Sequence, residues 1–196
     1  MEPETPSAPP VVAVVVVHDP GAWFDDTLDA LARQDYPNLR LLFLVVAEEA
    51  AAGDPATDAA PSIDARIQQR IPGAFVRAIG ANVGFGTAAN EVLRLVEGDN
   101  GFFLICHDDV APDPGALRLM VEELYRSNAG AVGPKLVDWD DPSVLQAVGL
   151  GMDRFGEIDP VIEPGEVDQE QHDGVRDVFL LPSAYLLVRA DLFREL

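Results

Sequence analysis

Apolar residues along this chain gather into short, nearly unbroken blocks. Val11–Val17, Leu39–Val46, Phe75–Ile79 and the run from Phe102 to Cys106 are the clearest. Blocks of this length without polar alternation predict strands buried on both faces, as in a parallel sheet. Between the first two, Trp23, Phe24, Thr27, Leu28, Leu31 and Ala32 recur at helical spacing and stop before Tyr36-Pro37. Strand, helix, strand in that order predicts a right-handed parallel crossover. Leu117, Met120, Val121 and Leu124 mark one face of a second helix over residues 114–127.

The rest of the pattern is more broken. Residues 63–71 read as a short helix. Residues 87–96 read as another, with Thr87 available as its cap. Residues 131–137 read as a short strand. A hairpin-like excursion is expected across 144–148 and 149–156, then a polar, acidic loop over 157–176. The apolar stretch 178–188 is interrupted by Pro182-Ser183, and a helix begins near Arg189. Residues 48–62, rich in Ala, Gly, Asp and Pro, read as a mobile insertion. Residues 1–10, rich in Pro, read as a disordered tail, leaving one domain over 11–196.

Bulk properties narrow the function classes. The 196 residues are 48% hydrophobic, enough for one domain with a sizeable core. The formal net charge is -21, and Lys135 is the only lysine. Such a surface repels nucleic-acid phosphates and anionic headgroups, so neither nucleic acid nor a lipid surface is an expected partner. An anionic ligand would need a metal ion, backbone amides or local arginines to offset that field. Cys106 is the only cysteine, which excludes an intrachain disulfide and a cysteine metal cluster. Lying within an apolar run, it reads as core packing. No apolar stretch is long enough to cross a bilayer, and Glu2 and Glu4 precede the first one, unlike a secretory signal. A reducing, cytoplasmic setting is the expectation.

Candidate chemistry concentrates where the Phe102 run ends in His107-Asp108-Asp109. Unpaired carboxylates are costly inside a sheet, so Asp108 and Asp109 belong where the strand leaves it. In open α/β sheets ligands bind outside the carboxyl ends of the strands. Two carboxylates there can hold a hard divalent cation, and such a cation commonly brings a phosphate. The plainer alternative is an acidic turn leading into the helix after Asp113. A second segment, Ala81-Asn82-Val83-Gly84-Phe85-Gly86-Thr87, joins a strand to a helix. Its glycines let backbone approach a ligand, or simply turn. It lacks Gly-x-Gly-x-x-Gly and the P-loop lysine, so it matches neither dinucleotide nor P-loop binding.

Taken together, the Val11 strand and its helix, the segment from Asn82 to Asn90, the strand ending in Asp108-Asp109, and Pro182-Ser183-Ala184-Tyr185-Leu186-Leu187-Val188-Arg189 resemble the family 2 glycosyltransferases. The resemblance spans residues 11–196. It implies the GT-A fold: an α/β domain whose mostly parallel sheet carries helices on both faces. It implies sugar transfer from a nucleoside-diphosphate sugar to a glycan or lipid-linked acceptor, metal-assisted and inverting. By that resemblance Asp109 is the ligand of a divalent metal, manganese or magnesium. Asp108 lies beside the ribose or in the metal shell. His107 falls where many relatives carry a first Asp; it is either a metal-site residue or a polar strand end. His18 and Asp19 face the base, and Asn82 and Gly84 approach the nucleotide.

Two departures qualify the resemblance. Relatives commonly carry a base-reading Asp at the end of the second strand; here Val46 is followed by Ala47 and Glu48. Relatives also place the catalytic base beyond the helix that starts near Arg189, so no base is assigned and a fragment of a longer protein is expected. If that protein has membrane helices, the domain would sit at the cytoplasmic face. Asp138, Asp140 and Asp141 read as turn residues. Two other classes stay open: a non-catalytic nucleotide-sugar or protein-binding module on the same fold, and a nucleotidyltransferase. The second lacks a glycine-rich, basic phosphate loop near the start.

Overall fold

A computed structural model describes residues 8–46, 62–80 and 83–196. Its centre is a six-stranded sheet in the order β3-β2-β1-β4-β10-β5. These strands are β1 (Val11–Val17), β2 (Leu39–Val46), β3 (Phe75–Ile79), β4 (Phe102–His107), β5 (Ala131–Val132) and β10 (Tyr185–Arg189). β3, β2, β1 and β4 run parallel, and β10 is antiparallel to both β4 and β5. The expected mostly parallel α/β sheet is therefore what forms. β1 lies at its centre, which is why Val11 to Val17 needs no polar alternation: both faces are covered.

Helices pack on both faces. On one side α1 (Phe24–Ala32), α2 (Ile63–Arg70) and α5 (Ala116–Ser127) present Phe24, Leu28, Leu31, Ile67, Leu117 and Leu124 to the sheet. The opposite side is covered by shorter helices, α3 (Phe85–Ala89), α4 (Val92–Leu95) and α6 (Ala190–Glu195), through Ala88, Ala89, Val92 and Ala190. Alternate β1 residues serve the two layers: Ala13, Val15 and Val17 pack on the first side, Val14 and Val16 on the second. Cys106 is fully buried in the first layer, as its apolar setting requires, and burial pushes its thiol up.

The boundaries depart from the sequence pattern at four places, each for a local reason. The single helix expected over 87–96 is two helices. It starts earlier, at Phe85 with Gly84 as its N-cap, so Thr87 lies within the first turn and caps nothing. Asn90 and Glu91 interrupt the ladder, and Leu93 and Arg94 donate to carbonyls only three residues back. The strand expected over 131–137 is split by Gly133-Pro134 into β5 and β6 (Leu136–Val137), because proline donates nothing to a ladder. β6 pairs with β7 (Leu145–Ala147), while the hairpin is formed by β8 (Leu150–Met152) and β9 (Ile158–Pro160). β10 starts only at Tyr185, past Pro182, though Leu180 still bridges to Leu150.

Ala8 and Pro9, assigned to the tail by composition, hold hydrogen bonds: Asn38 Nδ2 donates to the Ala8 carbonyl at 2.8 Å and Tyr36 Oη to the Pro9 carbonyl at 2.7 Å. The expected insertion over 48–62 lies outside the described residues apart from Ser62, whose hydroxyl caps α2 by accepting from the Ala65 amide at 3.2 Å. Among the described residues no helix is long and apolar enough to cross a membrane.

Candidate functional site

The parallel strands β1, β2 and β4 end together at one edge of the sheet. They surround a cleft of about 330 Å³ lined by Val16, His18, Val46, Val83, Gly84, Phe85, His107, Asp108 and Asp109. This is the carboxyl edge of the sheet, where an open α/β fold takes its ligand. The sequence reading brought Gly84, His18, Asp108 and Asp109 to one place, and the structure joins all four at this cleft. Asp19 is adjacent but does not line it; it holds a left-handed backbone with φ 48. Asn82 and Glu48 lie outside the described residues. A larger hollow of about 540 Å³ lies over the opposite ends of β1, β2 and β3 and contains none of the candidate residues.

The two adjacent carboxylates do different work. The Asp108 side chain turns back to β1, where Oδ2 accepts from the His18 amide at 2.9 Å. From the other side fully buried Thr27 of α1 donates through Oγ1 to the Asp108 carbonyl at 3.1 Å. Asp108 is thus a brace between β4, β1 and α1. Burial pushes its carboxyl above the usual Asp value; the His18 amide pulls it down and the neighbouring Asp109 charge pushes it up again. Asp109 has no such anchor among the described residues. Its side chain is 54% exposed and makes no hydrogen bond there, and its Oδ1 lies 3.9 Å from His107 Nδ1.

That difference decides which carboxylate suits a cation. Of the two, Asp109 is the one whose carboxylate makes no hydrogen bond among the described residues and is open to a metal. Among the described residues no three His, Cys, Asp or Glu side chains converge into a closed cage. An Asp109 site suits a metal such as magnesium, which keeps waters and takes one or two carboxylates plus substrate phosphates. The residues present therefore fit a cation shared with a diphosphate, not a structural metal centre.

Gly84 forms the opposite wall. Its φ of -64° and ψ of 154° are open to any residue, so backbone strain does not require glycine here. A Cβ at Gly84 would meet nothing within 4 Å. The bare Cα instead leaves open cleft beside the carboxylates, room that a bound molecule can use.

His107, read as either a metal-site residue or a polar strand end, meets residues here that sequence reasoning did not assign. The His107 ring packs against Phe85 with centroids 4.3 Å apart, and its Nε2 lies 3.0 Å from Ser183 Oγ. Thr27 looked like one more position on the buried face of α1. Its being the one hydroxyl on that face was the available signal. Ser183 offered only its place after Pro182 at a strand start. Val46, lining the cleft, stands where the sequence left base recognition open.

The acidic residues beyond β6 behave as turn residues. Asp138 accepts from the amides of Asp140 and Asp141 at 3.0 Å each and from Gln146 Nε2 at 2.6 Å, which together hold its carboxyl below the usual value. Asp141 Oδ1 accepts from the Ser143 hydroxyl at 2.6 Å. Farther on, Glu166 accepts from Gln171, the Glu163 amide and His172, which lower its carboxyl to about 2. Lys135, the single lysine, bridges Asp168 at 2.6 Å and Asp173 at 2.5 Å.

Comparison with solved structures supports the fold. The mannosyltransferase PcManGT from Pyrobaculum calidifontis, solved with GDP-Man and Mn2+, superposes with a TM-score of 0.51 at 24% identity, over 68% of this chain and 37% of that one. S. aureus TarS 1-349 in complex with UDP superposes with a TM-score of 0.60 at 13% identity, over 95% of this chain and 48% of that one. This chain thus spans less than half the length of either protein. The 4-diphosphocytidyl-2C-methyl-D-erythritol synthase from Anaerococcus prevotii superposes with a TM-score of 0.51 at 11% identity, over 95% of this chain and 74% of that one. The sheet is thus shared with a synthase of different chemistry, and fold alone does not separate the two. No curated protein matches the chain. Sequence separates them: residues 12–186, covering every strand that reaches the cleft, match "Glycosyl transferase family 2". With its GT-A sheet and its carboxylates at the strand ends, the chain belongs to glycosyl transferase family 2.

Proposed function

We propose that this domain binds a nucleoside-diphosphate sugar across the strand-end cleft, with a divalent cation between Asp109 and the diphosphate, and passes the sugar with inversion to a glycan or lipid-linked acceptor. The observation that carries this is the division of labour at β4: Asp108 braces the turn, and Asp109 is left exposed and, among the described residues, without a hydrogen bond beside an open Gly84 wall. An acidic domain cannot attract a diphosphate by its general field, so a cation on Asp109 supplies the local offset. When bound, such a cation gives Lewis-acid stabilisation to a leaving diphosphate. The similar solved structures with GDP-Man and Mn2+ or with UDP support a nucleotide-sugar donor.

The chain's own residues then have defined tasks. Asp109 holds the charge-neutralising cation. Asp108, by accepting from His18, sets the distance between the β1 and β4 ends that the nucleotide must bridge. His18 and Val46 stand on the base side, and Gly84 leaves room for the ribose. An acceptor hydroxyl needs a base. Asp138 and Asp141 are engaged in turn bonds, so neither is assigned that role. The departure at the end of β2, where Val46 lines the cleft, and His107 in place of a first Asp favour the second reading, a non-catalytic nucleotide-sugar or protein-binding module on the same fold.

Calorimetric titration of UDP, GDP and dTDP sugars, each with and without manganese, tests the binding claim. Metal-dependent binding of one of them is expected, and metal-independent or absent binding refutes it. Donor turnover with acceptors present separates enzyme from binding module.

A further inference from the structure

The larger hollow, about 540 Å³ at the far end of the strands from Asp109, has a chemistry of its own. Strand alternation and register put Val12 of β1, Arg40 and Leu42 of β2, and Phe75 and Arg77 of β3 on one face of the sheet. This is the side that α3 and α4 cover. Both helices are short, and they leave part of β3 bare: Phe75 is 60% exposed, while its register partner Leu42 is 7% exposed. The end of α4 supplies one wall, where Glu97 is the one acid among the described lining residues. Mostly apolar walls with a few placed polar groups are the usual make-up of a binding hollow.

The two arginines set this face apart. Arg40 and Arg77 are exposed, and neither forms an ion pair among the described residues. The chain has 34 acids and 13 bases, so two unpaired cations on one apolar face make a positive spot inside a negative surface. A charge on an edge strand often serves to block sheet-to-sheet pairing. That would account for Arg77 on edge strand β3. It does not account for Arg40, because β2 lies between β1 and β3. With a net charge of -21, a second copy of this chain is repelled as a whole.

The register gives the shape of the complement. Arg40 stands opposite Val12; two residues on, Leu42 stands opposite Phe75; two further on, Leu44 stands opposite Arg77. Along the strands this face therefore reads cation, apolar, cation, in steps of about 7 Å and over about 13 Å in all. An extended peptide presents alternate side chains on one face with the same step. Its complement reads acid, apolar, acid. A small amphipathic anion with one head group would engage one arginine and leave the other bare, whereas an extended segment engages both.

We propose that this face is a docking surface for an extended acidic segment of a partner protein, with Asp or Glu at two positions four residues apart and a large apolar residue midway. The acids pair with Arg40 and Arg77, and the apolar side chain lies against Phe75 and Leu42. Because the surface is at the far end of the strands from Asp109, docking leaves the strand-end cleft open.

Nitrogen-15 NMR with a synthetic probe tests it: the capped peptide Gly-Ser-Glu-Ser-Leu-Ser-Glu-Ser-Gly, and a twin with lysine at both Glu positions. At low salt the Glu peptide is expected to shift the Leu42, Phe75 and Arg77 amides saturably. The Lys twin, drawn by the overall charge, is expected to leave those three amides in place. Combined Arg40→Glu and Arg77→Glu should weaken the Glu peptide about ten-fold and let the Lys twin shift the same amides. Phe75→Ala, or alanine for leucine in the peptide, should weaken binding about five-fold. The change in the peptide leaves the protein intact, so the claim stands or falls even where a protein variant unfolds. No saturable shift at these amides, or shifts indifferent to charge reversal, overturns the proposal. So does dodecyl phosphate shifting them where the peptide does not, which would give the face to a small amphipathic anion. Shifts at the same amides on diluting the protein alone would give it to a second copy and overturn the proposal equally.

Discussion

Thr27→Val tests whether the site is held from behind as the structure indicates. Thr27 is fully buried on α1, and its hydroxyl donates to the Asp108 carbonyl at 3.1 Å. Valine has nearly the same shape, so packing is kept and only the hydrogen bond is lost. A net hydrogen bond contributes about 1 kcal/mol, and an acceptor stranded away from water costs about 1–3 kcal/mol. Asp108 is half-buried, so water partly reaches its carbonyl and a loss of about 1–2 kcal/mol is expected. For a domain of this size that lowers Tm by about 2–8 °C. The same carbonyl belongs to the peptide that carries Asp109, so slack there displaces the free carboxylate. If about 1 kcal/mol of that coupling reaches the ligand, metal-dependent nucleotide affinity falls about five-fold. Thr27→Ser separates the two effects. It keeps the hydroxyl but loses one buried methyl, at about 1 kcal/mol, so Tm should fall while affinity is retained. Thermal unfolding by circular dichroism and calorimetric titration on the same samples give both readouts. Equal loss of affinity in the Val and Ser variants, or a Val variant indistinguishable from the unmutated protein, refutes the reasoning.

Three further outcomes are expected. Asp108→Asn keeps an oxygen for the His18 amide but removes a charge that burial disfavours, the folded protein holding the Asp108 proton to higher pH than the unfolded chain. The variant should therefore melt higher at neutral pH, and its advantage should vanish once the pH falls below the ordinary Asp range; a pH-independent difference in Tm contradicts this. Gly84→Val places its side chain in open space with an ordinary φ of -64°, so nucleotide affinity should fall while Tm holds, and the reverse pattern would make Gly84 a mere connector. Glu166, lowered from 4.5 to about 2 by its three partners, contributes loop stability that is present above 4.5 and lost as pH falls through about 2. Hydrogen exchange at the Leu145 amide, which donates to the Glu166 carbonyl, should lose protection over that window, and Glu166→Gln should remove the acid dependence.

The central strands β1 and β4 were legible in the sequence because both their faces are buried, which shows as an apolar run without polar alternation; edge strand β3, also expected to be buried on both faces, is instead largely exposed, with Phe75 60% exposed. The placing of Asp108 and Asp109 followed from the cost of charge inside such a sheet. Their division of labour did not, because it depends on which carboxylate reaches the end of β1, 90 positions away. The break at Asn90 and Glu91 carried no Gly or Pro to announce it. Gly133-Pro134, by contrast, was a visible stop inside the strand expected over 131–137. The His107–Ser183 pair needed the antiparallel register of β10 on β4, which periodicity does not supply.

The central claim is that Asp109, and not its braced neighbour, holds the cation through which the diphosphate binds. Calorimetric titration of the best-bound nucleoside diphosphate into unmutated protein and Asp109→Ala, each with and without manganese, tests it directly. The account predicts that manganese strengthens binding to the unmutated protein and does nothing for Asp109→Ala, whose metal-free Tm stays unchanged because Asp109 makes no hydrogen bond among the described residues. The same manganese-dependent affinity in both proteins would contradict it.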